Sequence, residues 1–220
     1  LETLYKLLGE LKGESALVFC NQRESVERVS NYLTEMGVDN EYFHGGMEQP
    51  ERERALSLFR NGSASVFIST DLASRGLDIP EVKNVIHYHL PINEEAFIHR
   101  NGRTARMNAE GNAFMILNEI ETVPEYITRE PDEFFLPEKA KKPLRSEWVT
   151  LTINRGKRDK LSKKDVVGFL FQKGGLDKDD LGVVEVKESC AYAAVKRDKK
   201  EGLLARIRDE KIKNMKAKFI

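Results

Sequence analysis

At 220 residues, with 40% hydrophobic and 33% charged side chains, the chain has room for two modest domains and a composition that excludes a disordered or fibrous protein. Its apolar runs fall far short of the ~20 residues a bilayer-spanning helix needs. No signal peptide leads it, and its two cysteines, Cys20 and Cys190, each sit in an apolar stretch, which argues against a disulfide framework and for a reducing, cytoplasmic compartment. A start at Leu1 rather than methionine reads as a piece of a longer chain. The formal charge of zero hides an asymmetry: residues 1–130 carry 13 Lys and Arg against 21 Asp and Glu, whereas residues 131–220 carry 23 against 15. That step predicts two units, the second facing a polyanion, with a solvated lysine-rich surface as the bland alternative.

In chain order, Ser15 to Cys20 is a short apolar run of the kind that makes a buried strand. In the helical stretch 22–36, Val26, Val29 and Leu33 mark one face, and Gly37 stops it. Val38 to Phe43 alternates weakly, and His44-Gly45-Gly46 breaks it. Pro50 suits a first helical turn, with Ala55, Leu56 and Phe59 as the next stripe. Ser65 to Thr70, Val82 to Tyr88 and Asn112 to Leu117 read as further strands. This alternation predicts a parallel α/β sheet with helices on both faces. Residues 131–147, with Pro131, Pro137, Pro143, Lys139, Lys141, Lys142 and Arg145, read as a basic, semi-extended linker of variable placement. Beyond it, strands at Trp148 to Ile153, Leu181 to Val186, Ala191 to Val195 and Ile212 to Ile220, with helices at Lys163 to Phe171 (capped by Ser162) and Lys200 to Ile207, predict a small β-α-β-β-α-β domain. The expected domains are thus 1–130, a linker at 131–147, and 148–220.

Four clusters in the first part bear on chemistry. In His99-Arg100-Asn101-Gly102-Arg103-Thr104-Ala105-Arg106, a continuing helix puts His99, Arg100, Arg103 and Arg106 within a ~120° arc. Such mutually repelling cations suit an anion or a partner's carboxylates, and arginine's fork suits phosphoryl oxygens. An exposed basic helix neutralised by Glu94 and Glu95 is the alternative. Ser69 to Pro80 lies at a strand's carboxyl end, where open α/β sheets bind ligands. There Thr70 offers a hydroxyl, Gly76 allows close backbone approach, and Asp71 and Asp78 can accept from a ribose or orient an arginine. Gln49 and Arg52 lie near a helix start, and Asn21-Gln22 ends the first strand.

Leu17-Val18-Phe19-Cys20, Gln49-x-x-Arg52, Ser69-Thr70-Asp71 with Arg75-Gly76-Leu77-Asp78, and His99-Arg100-x-Gly102-Arg103-Thr104-x-Arg106 together resemble, in order and spacing, the second RecA-like domain of DEAD-box RNA helicases. The resemblance covers nearly all of residues 1–130. It implies ATP and Mg²⁺ as cofactors, Arg103 and Arg106 as arginine fingers at the γ-phosphate, and Asp78 at the nucleotide ribose or those fingers. It further implies that Gln49, Arg52, Thr70 and Gly76 hold the RNA backbone, and that His99 and Arg100 bridge to the partner RecA domain. Asn101 replaces a usual apolar residue and Ala105 a common glycine, a change also found in the DbpA-like branch. No G-x-x-x-x-G-K-[ST] loop and no Asp-Glu-Ala-Asp run occurs. The fragment alone is therefore expected not to hydrolyse ATP, because the N-terminal RecA-like domain would hold most of the nucleotide.

The second domain shows few of the aromatics on which RNA-recognition folds stack bases: Tyr192 on the third strand, and none in Val149 to Ile153. Charge would substitute through Arg155, Lys157, Arg158, Lys160, Lys163 and Lys164. Trp148 to Lys157, Lys164 to Gly168 and Gly175 to Gly182 are similar to the C-terminal RNA-binding domain of DbpA-type helicases. That resemblance implies structured RNA as partner, a 23S ribosomal RNA hairpin, and a role in large-subunit assembly. A DNA translocase of the same superfamily and a non-enzymatic RNA-binding scaffold remain open as alternatives at this point.

Overall fold

The computed structural model describes residues 1–71, 79–104 and 111–220. They divide into two compact units, Leu1–Leu56 with Ser65–Arg145, and Ser57–Ala64 with Ser146–Ile220. The first holds α1 (Glu2–Glu10), β1 (Ala16–Cys20), α2 (Arg23–Glu35), β2 (Asn40–Phe43), the start of α3 (Gln49–Arg60, whose residues from Ser57 on group with the second unit), β3 (Val66–Thr70), β4 (Asn84–His87), α4 (Glu94–Asn101) and β5 (Asn112–Met115). Among the described residues the strands form one parallel sheet in the order β2-β3-β1-β4-β5.

The central position of β1 follows from its sequence. All five of Ala16, Leu17, Val18, Phe19 and Cys20 are buried, as a strand covered on both faces requires. Val26, Val29 and Leu33 of α2 turn inward as the spacing predicts. The helix then ends in a left-handed Gly37 (φ 75°), with Gly37 N–H donating to Thr34 O at 2.9 Å and Val38 N–H to Leu33 O at 2.9 Å. That pair of bonds is the Schellman closure, which a Cβ at position 37 would strain. Helix α1 packs Leu4, Leu7, Leu8 and Leu11 into the same core. Their i, i+3, i+4, i+7 spacing is that of a helix face turned to a core.

Residues 131–145, read as a linker, group with the first unit. Phe134 meets Phe114 edge-on at 5.4 Å, Lys141 pairs with Glu10 at 3.0 Å, and Arg145 pairs with Asp39 at 3.2 Å.

The second unit runs β6 (Trp148–Ile153), α5 (Lys163–Gln172), β7 (Leu181–Val186), β8 (Ala191–Lys196), α6 (Lys200–Ile207), β9 (Lys211–Ile212) and β10 (Met215–Lys216). Its antiparallel sheet has the order β6-β8-β7, and α5 and α6 supply Val166, Leu170, Leu203 and Ile207 to a core under Leu151, Ile153 and Ala193. One expectation is corrected. Ile212 to Ile220 is not a single strand, because Lys213 (φ 50°) and Asn214 (φ 63°) reverse the chain into a two-stranded hairpin, β9–β10. Only the final residues reach the main sheet, through an antiparallel bridge between Ile153 and Phe219.

Candidate functional site

The register of the parallel sheet aligns Cys20 with Thr70 and Phe19 with His87, so β1, β3 and β4 release their chains at one rim. Asn21 and Asp71 directly follow β1 and β3, and His89 lies two residues past the end of β4. Into this rim α4 sends Arg100, whose side chain has no solvent exposure. Its Nε and Nη2 donate to the two carboxylate oxygens of Asp71, both at 2.6 Å. Nη2 also donates to Asn21 Oδ1 at 2.8 Å and Nη1 to His89 O at 2.7 Å, while the guanidinium carbon lies 5.0 Å from the Phe19 ring centre. A planar fork saturated in this way is an arginine geometry that lysine cannot supply.

Arg100, expected at a boundary with another domain, is thus placed inside the rim of its own sheet. The ~120° arc drawn from helical spacing was broad enough to span an inward and an outward direction. Arg100 points in, and its charge is met by Asp71. His99 points out, exposed, with Glu95 at 3.7 Å one turn earlier. Arg103 is half-buried in the turn after α4. That turn is pinned by its backbone: Val82 N–H donates to Arg103 O at 3.1 Å, and Thr104 Oγ1 donates to Val82 O at 2.7 Å. Gly76, Asp78 and Arg106 lie outside the described residues.

Asn101, which the sequence marked as a bare departure in packing, has a partner. Its Oδ1 faces His87 Nε2 at 3.0 Å, while His87 Nδ1 faces Arg100 Nη1 at 3.4 Å. Both contacts suit a neutral imidazole that donates from Nε2 and accepts at Nδ1. Burial pushes the His87 pKa down to about 4 from an ordinary 6.5, and the neighbouring Arg100 charge acts the same way against the Asn101 bond. As pH falls, the unfolded chain therefore takes up this proton before the folded one does. The contribution of His87 to stability is complete above pH 6.5 and is lost between there and about 4, a change of about 3 kcal/mol. Imidazole NMR should show His87 still neutral at pH 5.5; a midpoint above 6 would overturn this assignment. Cys20, at the end of β1, has its thiol pushed up to about 12 by burial and is no nucleophile at neutral pH.

On the β2–α3 side, Arg52 spends two of its nitrogens on the preceding turn, with Nε donating to Met47 O and Nη2 to Gly45 O, each at 2.8 Å. The turn is also braced from α2, since His44 Nε2 faces Glu27 Oε1 at 2.9 Å while His44 Nδ1 accepts from Gly46 N–H at 3.1 Å. Gln49 is exposed and donates to Glu53 at 3.2 Å. Thr70 is buried at the end of β3. The two groups of predicted contacts thus lie on neighbouring loops, one shaped by Arg52 and the other by Arg100.

In the second unit the basic residues share one loop and the helix it enters. Lys157 N–H donates to Lys187 O at 2.9 Å, and Arg158 N–H donates to Glu188 O at 3.0 Å. The loop lies so close to the 187–190 turn that a Cβ on Gly156 would fall 2.4 Å from Lys187 O. Glycine is therefore required by approach rather than by torsion. At the far end, Lys213 Nζ donates to Lys160 O at 2.8 Å and to Asp165 Oδ2 at 3.1 Å. Asp165 completes the Ser162 capping box of α5, and the Ser162 hydroxyl and N–H, with Lys213, hold its carboxyl down at about 2. Lys157, Arg158, Lys160, Lys163 and Lys164 are exposed, and Arg155 is half-buried 3.8 Å from Asp159. Five exposed cations thus stand together, Lys157, Arg158 and Lys160 on the clamped loop and Lys163 and Lys164 in the first turn of α5, with Lys157 3.9 Å from Glu188. Sequence reading found these charges and missed Lys213, whose role depends on a hairpin that spacing did not announce. Val149 to Ile153 holds no aromatic, and Trp148, which opens β6 as expected, has the Lys196 ammonium 4.6 Å from its ring centre.

Among the described residues, no three His, Cys, Asp or Glu gather as a metal site, and no helix is long and apolar enough to cross a membrane.

Comparison with known proteins matches both units. Residues 1–108 match the helicase conserved C-terminal domain, and residues 150–219 match the DbpA RNA binding domain. The chain is 34% identical over 200 residues to "ATP-dependent RNA helicase DbpA" of Escherichia coli, covering 88% of this chain and 44% of that protein. It is 28% identical over 233 residues to the protein of the same name from Bacillus subtilis, covering 93% and 49%. The chain thus spans about half the length of the curated relatives it matches. Among solved structures, the yeast DEAD-box splicing factor Prp28 superposes with a TM-score of 0.51 at 28% identity, covering 55% of this chain and 27% of that one. With a parallel sheet of RecA type followed by a DbpA RNA-binding unit, this chain belongs to the DbpA-like DEAD-box RNA helicases, of which it carries the C-terminal helicase domain and the RNA-binding domain.

Proposed function

We propose that the chain is the C-terminal portion of an ATP-dependent RNA helicase that separates short RNA duplexes, with structured ribosomal RNA of the assembling large subunit, a 23S hairpin, as its target and the cytoplasm as its compartment. Residues 1–130 act as the second RecA-like domain and residues 148–220 as the RNA anchor. ATP and Mg²⁺ are held mainly by an N-terminal RecA-like domain that carries the phosphate loop, so the fragment alone does not hydrolyse ATP. Closure of the two domains brings Arg103 and Arg106 to the γ-phosphate, Asp78 to the ribose and His99 to the domain boundary. Gln49, Arg52, Thr70 and Gly76 grip one RNA strand. The role left to Arg100 is to position the rim from inside.

The observation that supports this reading best is the fixed presentation of Lys157 and Arg158, locked by their own backbone onto the 187–190 turn. A loop held in this way grips RNA without the ordering cost of a flexible basic tail. Charge reversal at both positions, Lys157→Glu with Arg158→Glu, should weaken binding of a structured ribosomal RNA fragment by at least about a hundredfold and flatten its salt dependence, since each lost phosphate contact lowers the slope by ~1. Unchanged affinity would refute the RNA anchor. Unwinding of DNA duplexes in preference to RNA by the complete enzyme would refute the choice of substrate.

A further inference from the structure

The last three residues of the chain run along the free edge of β6. Thr152 and Ile220 exchange backbone hydrogen bonds of 2.8 and 3.0 Å, and Asn154 N–H donates to Lys218 O at 3.1 Å while its Oδ1 accepts from Lys218 N–H at 2.6 Å. This pairing lays the Phe219 ring parallel to Phe169, with centres 5.3 Å apart and planes 10° from each other. Phe169 is buried in the core, whereas Phe219 stays half-exposed. Phe219 also lines a cavity of about 400 Å³ together with Leu204 and Ala205 of α6, Arg208 just after it, and Ala217 and Lys218.

Its walls are thus apolar and aromatic, and its lip carries two exposed cations, Arg208 and Lys218. Of the nearby carboxylates, Glu210 is engaged by Lys173 at 3.2 Å. The ten residues from Lys211 to Ile220 hold four lysines and no acid. An aromatic wall beneath a cationic lip is the arrangement that accepts a nucleobase by stacking and its phosphates by charge. A purely apolar peptide would leave both cations unused. The cavity also adjoins the basic loop, since Asn154, which clasps Lys218, directly precedes Arg155.

We infer that this cavity is a nucleotide subsite of the RNA anchor: an unpaired base stacks on Phe219, and the flanking phosphates pair with Arg208 and Lys218. The inference rests on the RNA-binding reading and adds to it a single-stranded element beside the loop.

The test titrates the 220-residue chain with a short single-stranded oligoribonucleotide containing 2-aminopurine, over a series of salt concentrations. Phe219→Leu keeps an apolar plug but removes the π face. It should raise Kd about fivefold or more, abolish the change in 2-aminopurine emission on binding, and leave the salt slope unchanged. Arg208→Gln lies on the surface and should raise Kd while lowering the slope by about one unit. If both variants bind as the parent does and give the same emission change, the subsite is overturned. The Lys157→Glu, Arg158→Glu variant, measured alongside, separates the failures. Its loss of binding with both cavity variants normal leaves the loop as the anchor and removes the cavity, whereas a parent chain that binds no RNA removes both.

Discussion

Under the proposed function, replacing Arg103 by alanine in the complete enzyme is expected to lower RNA-stimulated ATP turnover by about a thousandfold, the cost of losing an arginine finger. RNA binding through the second unit should be unchanged. The turn holding Arg103 is fixed by main-chain bonds and by Thr104. The Arg103 N–H donates to Arg100 O at 3.1 Å, its carbonyl accepts from Val82 N–H at 3.1 Å, and Thr104 adds a third tie to Val82. None of these bonds passes through the Arg103 side chain. Single-turnover hydrolysis, RNA affinity and urea unfolding measured on one preparation would check the pattern. Near-normal turnover would remove Arg103 from the chemistry, and a matching loss of stability would reassign its effect to folding.

Arg100 should behave in the opposite way. Arg100→Met is expected to destabilise the isolated chain by about 3 kcal/mol, because it strips a bidentate partner from Asp71 and leaves Asn21 Oδ1 and His89 O short of a donor. The effect belongs at the lower end for a buried pair, since the Asp71 side chain keeps 24% exposure while that of Arg100 has none. Asp71→Asn should cost a similar amount by leaving the guanidinium buried without its counter-charge. The double variant should lose less than the two single losses combined, because both remove one interaction. Denaturant unfolding of the four proteins closes the cycle. A loss below about 1 kcal/mol for Arg100→Met, or strict additivity, would show that the network does not organise the rim.

Much of the fold was legible because its signals are local. Ala16 to Cys20 is a run without polar interruption, which a strand covered on both faces demands. The Val26, Val29, Leu33 stripe and Gly37 specify a helix and its stop, and Ser162 with Asp165 specifies another helix start. The hairpin at Lys213 and Asn214 was not legible, since neither residue is a glycine and their left-handed torsions are imposed by what the flanking strands pair with. The leucines from Leu4 to Leu11 carry an equally local signal in their helical spacing.

For the site, composition and spacing determined which charges the chain possesses: an arginine-rich turn after α4 and a basic loop after β6. The direction each charge faces was decided by tertiary structure. His99 and Arg100 are adjacent in sequence, yet one meets solvent and the other fills a socket built by Asn21, Asp71 and His89 from three separate strand ends. Helical periodicity fixes the angle between neighbouring side chains but not the orientation of the helix on its sheet, and a carboxylate 29 residues away supplied the missing term. Likewise, the lysines after Ile153 are written in the sequence, whereas their presentation depends on the approach of Gly156 to the 187–190 turn and on Lys213 reaching back from the hairpin. Charge is a property of residues; the surface that displays it exists only once distant backbones have closed on one another.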